Sequence, residues 1–553
     1  MNFILRDYKN NCIYELSEED TFLKLALENE KRTNLKVFAV KVNNEIKELH
    51  KKPEEDGTIE FLDLTYADGF KIHLRGIYFI LYIALKELNK PDKFSVHHSL
   101  GTGIYCELSS GIPTEEYIKE IENKMYEIIE KNIKFEKFSE RKYKAIKMFT
   151  EDGQRDKALL FKFRVKSSVN YYKANGYFNY FYGYMPPSTG YMNNFKLLKV
   201  HEGFVILAAN PKSPDKVPEY KHFNKLSSTF NEYKSWLKIL EIKTVGELNQ
   251  KISQVKESVK EIIQISEALQ EKKYANIADE IVKNKNTKII LIAGPSSSGK
   301  TTSAKRISLQ LKVHGIKPAQ ISLDDYFVPR ERTPRDENGD YDFESIHALD
   351  LDLFNTNLKN LIEGKEVEIP KFDFVTGKPL WTGKKLKIEE NQPIIIEGIH
   401  GLNEELTSSI PRELKFKIYV SALTQMNLDE VNRIPTTDTR MIRRIVRDFN
   451  FRGHGALATL KMWPSVRRGE DKNIFPFQED ADVMFNSHLA YELCILKLFA
   501  EPLLINIDNS VPEHSEAKRI LKFLDYFLPI TELEEIPKKS VIREFIGRST
   551  FEY

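Results

Sequence analysis

Apolar and polar positions follow two periods along this chain, and the places where the period changes mark its organisation. Near the amino terminus NLKVFAVKVNN and DGTIEFLDL read as strands. SEEDTFLKLALENE reads as a short helix with Ser17 as its cap. Residues 1–65 therefore read as one small mixed unit. Residues 66–225 continue as α/β. Within them TEEYIKEIENKMYEIIEKNI spaces its apolar positions at helical intervals, which predicts an amphipathic helix opened by Thr114 and Glu115. From about Thr244 to Lys285 the chain is helical and highly charged. Residues 226–286 read as a helical connector, with the first helices of the next unit as the alternative.

From Thr287 the pattern changes. TKIILIAG, PAQISL, QPIIIEG and KFKIYVS are apolar strands, and helical stretches such as KTTSAKRISLQLKVHG lie between them. Unbroken apolar strands alternating with helices predict a parallel sheet covered on both faces. This unit is expected over 287–510. A segment over 511–553 then docks on it or on a neighbouring subunit.

Composition narrows the picture. The chain has 553 residues, enough for about two to four domains. Hydrophobic residues make up 41% and charged residues 30%, the balance of a globular protein. Net charge is +2, from 83 basic and 81 acidic side chains, which disfavours a broadly cationic nucleic-acid surface. Cys12, Cys106 and Cys494 are too few and too scattered for a disulfide framework or a thiolate zinc site, and they suit a reducing cytoplasm. MNFILRDYKNN lacks the apolar core of a signal peptide, and no apolar run reaches membrane-spanning length.

The chemistry concentrates after residue 290. Gly294-Pro-Ser-Ser-Ser-Gly299-Lys300-Thr301 fits G-x-x-x-x-G-K-[ST], with a strand before it and a helix after it. Such a loop turns backbone N–H groups of residues such as Ser296, Ser297, Ser298 and Gly299 toward phosphate oxygens, at a helix start that also carries Thr302. Lys300 reaches the β- and γ-phosphates of ATP, and the Thr301 hydroxyl can ligate Mg²⁺. Asp324 and Asp325 fall at the carboxyl end of the second strand, where ligands sit in open parallel sheets. A carboxylate there can take the proton of an attacking hydroxyl, and Asp324 is the stronger candidate. Glu397 ends the third strand, placed to hold Mg²⁺ through water. In TRMIRRIVRDFNFRGHG, Arg440, Arg443, Arg444 and Arg447 share one helix face, with Arg452 just beyond. Few acids balance them, so the reading is a lid that closes over ATP phosphates.

GPSSSGKTTSAKR, SLDDYF, KFDFVTGKP, IIIEGIHGL and RMIRRIVRDFNFRG, in this order, resemble the uridine kinase and phosphoribulokinase branch of P-loop kinases over about Lys288 to Leu504. By that resemblance Asp324 is the catalytic carboxylate and Tyr326 lies in the nucleoside pocket. Glu344 contacts ribose hydroxyls and Phe372 packs on the base. Arg444 and Arg447 are the substrate-side and phosphate-side arginines, and Arg452 is a lid arginine. The sequence departs from the family at Gly377, where a base-reading histidine is usual, and at His454, where another lid arginine is usual. Phe372 stands where tyrosine is common.

VKVNNEIKELHKKPEEDGTIEFLDL resembles the small TGS domain of threonyl-tRNA synthetases. IENKMYEIIEKNIKFEKFSERKYKAIKMFTEDG and GYMPPSTGYMNNFKLLKV resemble the editing domain that follows it there. That domain's chemistry uses two histidines one helical turn apart, then a cysteine and a histidine in a later loop. The resemblance places these positions at Arg75, Phe79, Phe181 and Met185, none of which binds a metal or acts as an ordinary base. His97 and His98 are adjacent on a strand and point to opposite faces, so they do not replace the pair. Tyr177, Phe178, Tyr180, Phe181, Tyr182 and Tyr184 stack on a base or pack as a core, and the core is the expected outcome.

The expectation is an α/β P-loop kinase parallel sheet with flanking helices, preceded by a TGS-like β-grasp domain and an α+β editing-like domain. It would be a cytoplasmic kinase that transfers phosphate from ATP, with Mg²⁺, to a ribonucleoside, uridine or cytidine first. A kinase of another small alcohol or sugar phosphate and an RNA-binding regulator with a kinase switch are the alternatives. No membrane partner is expected, nucleic acid is not favoured, and a homo-oligomer is compatible with the sequence.

Overall fold

The computed structural model describes residues 2–88, 92–336, 339, 341–373 and 375–553. The second half is built on a five-stranded parallel sheet. Its strand order is Ala319–Ser322, Ile394–Glu397, Ile289–Ala293, Lys415–Ser421 and Val483–Asn486. Every residue of the central strand is buried, and its side chains alternate between two cores. Ile289 and Leu291 pack with Leu358 and Ile396 on one face. Ile290 and Ile292 pack with Ile307 and Ile418 on the other. Burying each such side chain contributes roughly 1.5–3 kcal/mol, which is why the strand reads as an unbroken apolar run.

The second core also takes Tyr274, Ile277, Ala278 and Ile281 from the helix Lys256–Lys283. This helix lies beside Lys300–Val313, so the last part of the segment read as a connector covers the sheet, as the alternative of first helices of the next unit has it. Most of its charges face solvent, with Glu267 buried against Tyr491 and Ser540, while an apolar stripe that the charge run hid faces the sheet.

The amino-terminal residues form a mixed sheet in the order Cys12–Ser17, Asn2–Asp7, Gly57–Leu62, Ala39–Val42, Glu45–Lys47. The helix Phe22–Thr33 packs over it through Phe22, Leu25 and Ala26. Ser17 does not cap this helix. It closes the hairpin opposite Asn2 and donates its hydroxyl to Asp20, and Thr21 takes the cap position. Thr114 does cap its helix, Glu115–Glu130, by accepting from the Tyr117 N–H at 3.2 Å. That helix and Ala67–Glu87 pack on an antiparallel sheet of Phe195–Val200, Gly203–Ala208, Gly103–Leu108 and Phe94–Leu100.

The carboxy-terminal segment docks within its own chain. The Tyr182 hydroxyl donates to the Arg519 carbonyl at 2.7 Å, and the Asn450 amide donates to the Phe545 carbonyl at 2.9 Å. No helix among the described residues is long and apolar enough to cross a membrane.

Candidate active site

The loop Gly294–Thr301 connects the central strand to the helix Lys300–Val313. A Cβ on Gly294 would stand 1.9 Å from the Val420 carbonyl oxygen, so only glycine lets the loop pass the neighbouring strand. Ser297 and Gly299 have φ of 57° and 85°, which turns the peptides inward. Lys300 Nζ donates to the Pro295 carbonyl at 3.3 Å, folded back over the loop. Burial lowers the pKa of this ammonium, while Glu397 and Asp324 work against that shift.

Asp324, Glu397, Glu344 and Glu544 lie in electrostatic range of this lysine. Asp324 lies in the short turn Leu323–Tyr326 after the second strand. Its charge is felt at Lys300, Glu344, Glu397 and Arg452. Glu397 accepts from the hydroxyls of Thr301 and Ser322, each at 3.3 Å. Burial and then Asp324 push its carboxyl up to about 7, against Lys300. Burial and then Glu470 push Glu344 up to about 7 as well, against Arg444 and Lys300. Buried acids held near neutrality beside a phosphate loop leave negative charge that a bound cation would compensate. Among the described residues no group of three or more His, Cys, Asp or Glu forms a metal site of its own. The Thr301 hydroxyl and Glu397 carboxylate, 3.3 Å apart, are oxygen donors of the kind Mg²⁺ takes.

The arginine helix Thr436–Phe451 corrects one expectation. Arg440 and Arg443 do not reach over the loop. They are buried beneath it, and each has a buried acid. Arg440 pairs with Glu470 and donates Nε–H to the Ser296 carbonyl at 3.0 Å. Arg443 grips Glu492 at 2.6 Å and donates to the Ser297 carbonyl at 3.3 Å. The two arginines brace the phosphate loop from behind. Arg444 and Arg447 converge instead on Asp448, at 3.2 and 2.7 Å, and the half-exposed Arg452 approaches it at 3.9 Å. Arg444 also donates to the Ser296 hydroxyl at 2.8 Å. Three guanidinium groups on one carboxylate leave excess positive charge beside the loop.

Residues 289–492 match the family model described as phosphoribulokinase / uridine kinase. The uridine kinase of Staphylococcus aureus strain JH9 is 30% identical over 201 residues, covering 36% of this chain and 87% of that relative. The chain belongs to the phosphoribulokinase / uridine kinase family. It is a kinase, a phosphotransferase built on a P-loop sheet. Two solved structures also align. One, described as a possible uridine kinase from Bacillus stearothermophilus, is 20% identical and covers 36% of this chain and 89% of that one, with a TM-score of 0.25. The other is D-glycerate 3-kinase from Cryptococcus neoformans, 12% identical, covering 46% and 87%, with a TM-score of 0.22.

Within this kinase, two residues expected at the acceptor lie in the core. Tyr326 is 1% exposed, its hydroxyl accepts from the Asn357 amide at 3.2 Å, and its ring meets Phe354 edge-on. The tight turn that exposes Asp324 rotates Tyr326 inward. Phe372 is 6% exposed and packs against Phe327 at 5.5 Å. Asp325 accepts the Phe372 N–H, which fixes that strand rather than facing the loop. At Gly377, Arg330 fills the space a side chain would take, with its Nε 2.7 Å from the position of a Cβ.

The carboxy-terminal segment, expected to dock on this unit or on a neighbouring subunit, reaches the phosphate loop of its own chain. Glu544 accepts from the Thr302 hydroxyl at 2.5 Å and from the Thr302 N–H at 3.3 Å. The Tyr553 hydroxyl lies 3.0 Å from the Thr302 hydroxyl, and Val541 packs over Gly299. A carboxylate thus sits on the first turn of the phosphate-loop helix, where the helix dipole favours negative charge.

Proposed function

We propose that the protein phosphorylates the 5′-hydroxyl of a ribonucleoside, uridine or cytidine first, using ATP and Mg²⁺. The observation that carries this reading is the placement of Asp324. It stands at a strand end, in electrostatic range of Lys300, Glu397 and Arg452, beside the loop. Asp324 takes the hydroxyl proton as the oxygen attacks. Lys300, Arg444, Arg447 and Arg452 offset the charge that spreads over the transferring phosphoryl group. The N–H groups of Ser296 to Thr302 cradle the phosphates. Thr301, with Glu397, would hold Mg²⁺, which would supply charge neutralisation on the phosphate oxygens. Glu344 binds the acceptor's hydroxyls, while Phe372 backs the pocket from the core against Phe327.

A second acceptor class is favoured by Arg330. Its guanidinium lies against Gly377, where the family's base-reading histidine is usual, and suits a sugar phosphate or another anionic alcohol. Incubation with ATP, Mg²⁺ and a panel of nucleosides and sugar phosphates, with products identified by mass, separates the two. A panel without any nucleoside product would overturn the leading reading.

For the amino-terminal half, the mixed sheet with its hairpin and single helix supports a TGS-like domain. Phe79, Phe181 and Met185 are at most 3% exposed and packed together, which supports an editing-like domain without that chemistry.

A further inference from the structure

A cavity of about 310 Å³ lies where the amino-terminal half meets the carboxy-terminal helix His514–Leu524. The phosphate loop contributes no residue to it. Its floor includes Arg75, one of the positions that lost its expected histidine. Gly183 makes room for this side chain, since a Cβ there would stand 2.4 Å from the Arg75 guanidinium carbon. Arg75 donates to the Tyr184 carbonyl at 2.9 Å.

Basic side chains outnumber acidic ones in the lining, and the acids already have partners. Glu45 pairs with Lys518 at 2.7 Å, Glu516 with Arg519 at 2.7 Å, and Asp68 with Lys71 at 3.2 Å. Among the described residues, Arg75, Lys166 and Lys522 make no ion pair. Burial, then Lys137, Arg75, Lys166 and Arg164, push the Lys522 ammonium down to about 8. Like charges held together in a partly dry cavity are costly until an anion joins them.

The remaining walls are aromatic. Tyr172, Tyr180, Phe181, Tyr182, Tyr184 and Tyr526 all contribute. Several hydroxyls are committed: Tyr172 to Glu48 at 2.5 Å, Tyr182 to the Arg519 carbonyl, and Tyr180 and Tyr526 to each other. These residues therefore offer ring surface rather than hydrogen bonds. Lys522 lies over the rings of Tyr182 and Tyr184, at 5.7 and 5.9 Å. Cations beside tyrosine faces select a ligand with an anionic head and a flat apolar body. The volume falls at the lower end of small-ligand sites, roughly 300–1,000 Å³.

We propose that this cavity is a second ligand site that binds a phosphorylated nucleoside, with the phosphate at Arg75, Lys166 and Lys522 and the base against Tyr182 and Tyr184. The inference rests on this cavity alone and holds whichever alcohol the kinase site accepts.

The test uses the full chain with its phosphate loop saturated by a non-hydrolysable ATP analogue. Calorimetry then follows the binding of uridine monophosphate, adenosine monophosphate, uridine and inorganic phosphate. A mononucleotide binds at a site that uridine does not fill, whatever uridine binds at the acceptor pocket, and inorganic phosphate binds there at least tenfold more weakly. Lys522→Glu weakens mononucleotide binding at least tenfold and leaves the ATP analogue's affinity unchanged. Lys166 is exposed, so Lys166→Glu keeps the fold intact and gives a loss in the same direction. No saturable mononucleotide binding, equal binding of inorganic phosphate, or affinity unmoved by both charge reversals would overturn the proposal.

Discussion

Arg443 offers the sharpest test of how the phosphate loop is held. Its guanidinium is 0% exposed and donates to Glu492 at 3.0 and 2.6 Å, to the Ser487 hydroxyl at 3.1 Å and to the Ser487 carbonyl at 2.9 Å. It also reaches the carbonyl of Ser297, whose left-handed backbone needs outside support. Glu492 is itself 0% exposed. Burial pushes its carboxyl up, but Arg443 and His488 overcome that and hold it at about 2. Arg443→Met therefore leaves a buried carboxylate facing a thioether. Breaking such a pair from one side costs about 3–5 kcal/mol, whereas neutralising both partners is far milder. Urea unfolding is the assay. The single variant loses about 3–5 kcal/mol, and Arg443→Met/Glu492→Gln recovers more than half of it. The wild-type pair should also fail in acid. A carboxyl depressed in the folded state stabilises above its unfolded value of about 4.3 and loses that contribution as pH falls toward 2. A single-variant loss under about 1 kcal/mol, or a double variant no better than the single, would refute the bracing role.

Further outcomes follow from the same geometry. Asp324→Asn lowers kcat by about a thousandfold and leaves the ATP Kd within a few-fold, read by steady-state kinetics beside direct binding; full turnover would remove Asp324 from the chemistry. Glu544→Gln takes a negative charge off the Thr302 donors that a phosphate would use. Losing one charge-assisted bond of about 1.5 kcal/mol from the competing carboxylate tightens ATP binding about tenfold, and equal or weaker binding counts against competition. Tyr326→Phe costs about 1 kcal/mol in unfolding, through Asn357, with kcat/KM unchanged; a selective loss of kcat/KM would return Tyr326 to the acceptor pocket. Lys522 faces Lys137, Arg75, Lys166 and Arg164, with the Tyr182 and Tyr184 rings beside it and Glu516 and Lys518 on its own helix. Its pKa of about 8 lies below the unfolded value of about 10.4, so the unfolded chain binds more protons between them and stability rises with pH there. Urea midpoints at pH 8 and pH 10 show that rise in wild type relative to Lys522→Met, and parallel profiles would contradict it.

What could be read from the chain depended on how far apart the interacting residues lie. The phosphate loop was legible because its glycines, lysine and threonine sit within eight positions, between a strand and a helix that announce themselves by hydrophobic pattern. Asp324 was legible because a strand end in a parallel sheet is a known place for ligands. The arginine helix shows where this stops. Spacing alone placed Arg440, Arg443, Arg444 and Arg447 on one face, and the structure agrees. Their division into two that brace the loop and two that meet Asp448 was not local. Glu470 lies 30 residues from Arg440 and Glu492 lies 49 from Arg443, so the acids that bury these two arginines could not be counted against them. Asp448 was within reach, four positions after Arg444, and its i,i+4 spacing was the signal that would have found it. Glu544, 242 residues from Thr302, left no signal of any kind. An arginine acts as a brace or as a lid according to the carboxylate that meets it, and that partner is chosen by the fold. A helix can therefore be recognised from its own residues while the work of each side chain on it is set elsewhere in the chain.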